Sequence, residues 1–277
     1  MIPQLAEVIE DCVTLLEAGR VDERKADIGG LLRRVQNRMA QAFFKQSKAF
    51  LAAYSAYEST YTEAKGDPVG LNTAEDAAAA ATFAEMESVL QATIAEAIVK
   101  GAGRTVLSAG MELSFTVKHP EAVKYLQQHG AELVKGINAT TREYIRTILI
   151  QAAEQGWSYG KTALAIKQRY REFAVGVPQR HLRSRAELIA VTEIGNAYEH
   201  GTMIAAEDLV AGGLAMEKKW LTVGDDRVEQ ECRSNQADGW IPLDQEFSSG
   251  DQRPLAHPAC RCTLQTRRHK KGGRNDR

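Results

Sequence analysis

A mainly α-helical N-terminal and central region, followed by a small C-terminal α+β module, is the fold class the sequence predicts. Three observations lead there. Apolar residues recur every three or four positions through most of the first 210 residues. That period stops at Met216. The remainder holds two of the three tryptophans and three of the four cysteines, set among Gly-, Asp- and Pro-bearing turns.

The elements follow in order. Leu5, Ile9, Cys12 and Leu16 form the stripe of an amphipathic helix, on which Cys12 reads as a small buried hydrophobe. A helical stretch over 28–61 offers Leu32, Val35, Met39, Phe43, Phe50 and Tyr54 for one face. Gly66, Pro68 and Gly70 break it, and Thr73 with Asp76 can open the next helix. An alanine-rich helix over 74–100 leads into "GAGRTVLSAG", expected as a loop or kinked connection. Residues 115–117 form a short run of extended character. The stretch 121–155 is helical with Gly156 as its C-cap, and Ser158 caps the helix after it. A long helix is expected from about 179 to 210, closed by Gly212 and Gly213. Short strands are expected at 220–223, 239–243 and 261–265.

With 277 residues the chain is long enough for one large domain or two ordinary ones. Its 35 basic and 36 acidic residues nearly cancel, so the molecule as a whole has no electrostatic preference for nucleic acid. The exception is the end, where Arg267, Arg268, Lys270, Lys271, Arg274 and Arg277 face only Asp276. That basic stretch reads as a disordered tail able to neutralise a few DNA phosphates without sequence choice, or as solvated terminal charge. The acidic amino terminus lacks the pattern of a secretory signal, and no run approaches the roughly 18 apolar residues of a membrane span. A cytoplasmic protein with reduced thiols is therefore expected.

Cys232, His257, Cys260 and Cys262 form the sharpest constellation. In an extended segment residues i and i+2 share a face, so Cys260 and Cys262 can present two thiolates to one point. Pro258 can turn His257 back towards them, and Cys232 closes the set from another loop. Three sulfurs and one imidazole suit a tetrahedral structural zinc with no open position, a staple for a module with little core of its own. Ordinary reduced thiols, or a disulfide from Cys232 to one of the other two, are the alternatives. The other motifs read more plainly. "GKT" at 160–162 lacks the spacing and preceding strand of a phosphate loop. Glu193 reads as a solvated or capping carboxylate, and His200 as a lone histidine near a helix end. The four acids of "GDDRVEQE" read as a surface loop before a cation site.

Three stretches in this order, "GWSYGKTALAIKQRY", "RAELIAVTEIGNAYEHG", and "KKWLTVGDDRVEQECRSNQADGWIPLDQEF" with "PLAHPACRCTL", resemble the phage head morphogenesis family typified by the Mu F protein and the SPP1 minor head protein. The resemblance implies a head morphogenesis domain over 141–265, flanked by a variable helical region over 1–140, a candidate for portal docking, and the basic tail over 266–277. By motif it carries over Arg185, Thr192 and Glu193, then Asp226, Arg227, Cys232, Asp238, Gly239, His257, Pro258, Cys260, Arg261 and Cys262. Many members have His in place of Cys232, and either can bind zinc. The implied role is a minor capsid protein, present in the host cytoplasm during assembly and then inside the virion head. Its implied partners are the portal, other capsid components and double-stranded DNA, with no catalysis. The competing reading is a metal-assisted nuclease using Glu193, the acidic loop and His200, which would need an open metal position.

Overall fold

The computed structural model describes residues 3–60, 68–111, 115–116, 118–175 and 184–269. The elements are helices α1 (Pro3–Thr60), α2 (Pro68–Ala80), α3 (Phe83–Ser108), α4 (Pro120–Glu154), α5 (Tyr159–Val175) and α6 (Arg185–Ala211), strand β1 (Met216–Leu221), helix α7 (Gln230–Ala237), and strands β2 (Ile241–Pro242) and β3 (Thr263–Arg268). The mainly helical body and the small C-terminal sheet agree with expectation. Cys12 and the tail residues Lys270, Lys271, Arg274 and Arg277 lie outside the residues whose side chains are described.

Several local expectations are corrected. "GAGRTVLSAG" is not a loop: α3 runs through Gly101 and Gly103 to Ser108. Gly101 serves packing, because a Cβ there would lie 1.9 Å from the carbonyl oxygen of Tyr198 in α6. Gly201 answers from α6, where a Cβ would lie 2.0 Å from the carbonyl oxygen of Ile98. α2 opens at Pro68, a residue pre-set for the first helical position, so Thr73 and Asp76 lie inside a helix. α6 begins at Arg185, with the Ser184 hydroxyl accepting the Glu187 N–H at 3.2 Å. α7 lies in a stretch expected to have no helix. β3 extends to Arg268, so Arg267 and Arg268 belong to a paired strand rather than to a loose tail. Elsewhere Gly156 takes φ +61 after α4, and Ser158 accepts the Lys161 N–H at the start of α5, as expected.

The chain forms two compact units from interleaved stretches. One unit combines Arg33–Thr93 with Lys124–Ala190. Its core holds Val35, Met39, Phe43 and Phe50 of α1, Met86 and Leu90 of α3, Ile137 and Ile145 of α4, and Tyr170 and Phe173 of α5. Glu75, buried in α2, is balanced there by Arg142 and Arg146.

The other unit combines Met1–Leu32, Ile94–Val123 and Val191–Arg277. Its sheet is antiparallel with order β2-β1-β3, and β1 pairs with β3 from Met216↔Arg268 to Leu221↔Thr263. One sheet face and its loops pack Trp220, Ile241, Leu243, Phe247 and Leu264 against Met203, Ala206 and Leu209 of α6. Trp220 is fully buried, with Phe247 set edge-on at 5.3 Å. The module therefore takes one wall of its core from α6. That explains how so few apolar residues of its own can suffice.

Candidate metal centre

The peptide 257–260 supplies the local geometry. Cys260 N–H donates to the His257 carbonyl at 3.2 Å, Pro258 occupies the second position and Ala259 takes φ 67. Proline followed by a positive φ is the pattern of a type II turn, and it brings residues 257 and 260 to one side. Cys232 enters from the first turn of α7.

Cys232 Sγ lies 3.4 Å from His257 Nε2 and 3.7 Å from Cys260 Sγ. Among the described residues, Cys232, His257 and Cys260 are the group of metal-ligating side chains whose donor atoms all lie within 4.8 Å of one another. Cys262, buried two residues beyond Cys260, stands outside this trio but interacts with both of its thiols. All three cysteines are free and buried, so the disulfide alternative is not realised. His257 Nδ1 lies 3.0 Å from the Pro258 carbonyl. A carbonyl only accepts, so Nδ1 carries the hydrogen and Nε2 presents its lone pair to the sulfurs. This is the arrangement of a ligating histidine held by an outer hydrogen bond.

The thiols are electrically unequal. Interaction with Cys232 and then Cys262 pulls the Cys260 thiol down. The bond to Cys260 pushes Cys232 up, and bonds to Cys232 and Cys260 push Cys262 up. Three sulfurs crowded without a cation resist full ionisation, and a divalent ion would remove that resistance. The donor set of soft thiolates and one neutral imidazole fits a zinc-like metal.

The surrounding residues hold this segment in place. Ala259 N–H donates to Thr192 Oγ1 at 3.1 Å, which gives the threonine carried over by motif a direct contact with the clasp. Arg261 grips Asp225 with two bonds of 2.8 and 2.7 Å. Those bonds hold the Asp225 carboxyl well below the usual carboxylate range. The sequence pointed to Asp226, which is exposed, whereas its neighbour does the holding. Arg227 also pairs with Asp225, so that carboxylate of the acidic loop is committed to arginines. Asp238 accepts the Ser248 N–H at 2.8 Å, and Gly239 takes φ +68 directly after the cap of α7.

Other candidates lie elsewhere or play other parts. Arg185 belongs to the first-described unit, where it donates to the Ile137 carbonyl and lies over the Tyr144 and Phe173 rings. Glu193 is half-buried, and burial pushes its carboxyl up to about 7. His200 stands within α6, well short of its end. Arg267 is occupied by Glu217 at 2.8 Å and by the Trp240 ring at 3.9 Å.

Two residues escaped sequence reasoning altogether. Glu199, fully buried in α6, accepts the Leu264 N–H at 2.9 Å. Arg24 of α1 pairs with it at 3.1 Å and donates to the carbonyls of Arg261 and Cys262 at 3.0 and 2.8 Å. Thr192 to Glu199 spans two helical turns, so both face the same segment. That seven-residue spacing was the available signal for Glu199; nothing local marked Arg24.

No curated protein and no solved structure matches the chain. The family model described as Phage Mu protein F like protein matches residues 143–265, a span that takes in α6, the sheet up to Gln265 and all four clasp residues. Residues 143–265 are thus similar to the Mu F-like phage head morphogenesis family.

Proposed function

We propose that this phage head-related protein is a minor capsid component that associates with the portal and with packaged DNA during head assembly and genome delivery. We also propose that its C-terminal module is clasped by zinc. The observation that carries the reading is the family match over 143–265, which contains the whole Cys/His cluster. Bound zinc would supply a cross-link between α7 and the 257–262 segment. Cys232, His257 and Cys260 would hold it, with Cys262 as the fourth donor. Four protein donors leave no position for substrate, which favours a structural part over a nuclease.

The portal contact is tested by co-expressing the full chain with the portal protein of the same phage. Co-elution, and a few copies per purified head, are expected. Separate elution together with absence from heads would contradict the proposal. The DNA contact rests on the basic C-terminal stretch, so duplex affinity is expected to fall steeply with salt and again on deletion of residues 270–277. Salt-insensitive or sequence-selective binding would contradict it. Purified protein that cleaves DNA, with cleavage lost in Glu193→Gln, would instead favour the enzyme.

A further inference from the structure

We infer that Arg24 is a positioning residue for the metal clasp, and that metal binding and the docking of α1 around Arg24 are thermodynamically coupled. The inference rests on the metal reading above but concerns a residue well outside the matched family segment.

Arg24 is 8% exposed, and burial favours pairing its guanidinium with nearby acceptors. Its Nη1 bridges the carbonyls of two consecutive residues, Arg261 and Cys262, the second of which bears a thiol of the cluster. Its Nε meets Glu199 Oε1, and the other carboxylate oxygen takes the Leu264 N–H. One ion pair thus fixes three backbone groups in four residues, and Thr192 fixes a fourth at Ala259. Fixing both sides of the residue 262 peptide sets the direction in which Cys262 projects. α6 leaves room for this reach: a Cβ on Gly195 would lie 2.6 Å from Arg24 Nη2. Other polar neighbours make the same region a rigid receptor. Asp27, one turn along α1, pairs with Arg104 and accepts from the Tyr198 hydroxyl at 3.0 Å.

Coupling follows by reciprocity. If Arg24 favours the segment geometry that accepts metal, metal must favour the Arg24-docked state by the same factor. Loss of an outer hydrogen-bond partner at metal sites weakens binding by about 10–100-fold.

The test uses the full chain. Zinc affinity is measured by competition with a chromophoric chelator for wild type, Arg24→Ala, Arg24→Lys and, as a control on the same helix, Arg38→Ala. Affinity is expected to fall by about 10–100-fold in Arg24→Ala. It should recover only partly in Arg24→Lys, whose single ammonium cannot reproduce the fork, and remain at the wild-type value in Arg38→Ala. A second arm needs no variant: hydrogen exchange of wild type before and after zinc is withdrawn. Amides 24–32 should exchange faster after withdrawal, while those of 137–148 keep their rates. Wild-type affinity in both Arg24 variants, or exchange in 24–32 indifferent to zinc, overturns the coupling. A wild-type chain that binds no zinc overturns the clasp itself, an outcome visible before any variant is made.

Discussion

Glu193 shows how a single half-buried carboxyl sets a pH response. Burial raises its folded pKa to about 7, above the unfolded value of 4.5. Between those values the folded state binds a proton that the unfolded state does not, so stability falls as pH rises through this window. The full cost, reached above pH 7, is on the order of 3 kcal/mol. Glu193→Gln should therefore flatten the decline in stability between pH 5 and 8, measured by urea denaturation; an unchanged slope would contradict burial as its cause. Burial pushes the Glu199 carboxyl up as well, but here Arg24 and the Leu264 N–H pull against that shift. Glu199→Gln leaves Arg24 as an uncompensated buried cation and should cost roughly 3–5 kcal/mol. Cysteine and histidine announce their chemistry by type, so the clasp was legible in the sequence. Arg24 and Glu199 are common surface residues 175 positions apart, and only the fold gives them meaning.

At the scale of elements, long periodic helices were legible and irregular short ones were not. α7 has eight residues and buries only Cys232 and Asn235, too little apolar surface to leave a stripe. The α3 correction has a sharper cause. Glycine in a helix normally signals a break, but Gly101 and Gly201 instead let two backbones meet. Gly101→Ala and Gly201→Ala should each destabilise by roughly 1–3 kcal/mol or more, because the obstruction is a backbone carbonyl that cannot swing aside. Gly103 meets nothing within 4 Å, so Gly103→Ala should stabilise by about 0.5–1 kcal/mol. Thermal melts of the three variants separate close packing from helix propensity; equal effects at all three positions would contradict the contact.

At the scale of the whole molecule, the helical body and small terminal sheet were read from the change of pattern at Met216. The interleaving of the two units was not, because it depends on which long-helix segments share a core. The same interleaving places Arg24, Thr192, Glu199 and the clasp in one unit. If the cluster holds zinc as proposed, a fold so arranged would link the metal to helices remote in sequence, and a chelator should lower the melting temperature of the unit that carries the sheet. The most direct test of the central claim is the metal content of the purified full chain, with and without Cys260→Ser and Cys262→Ser. The proposed zinc clasp predicts about one zinc per wild-type chain, lost in the double variant together with thermal stability. A metal-free wild type that is equally stable with and without added zinc would contradict the account.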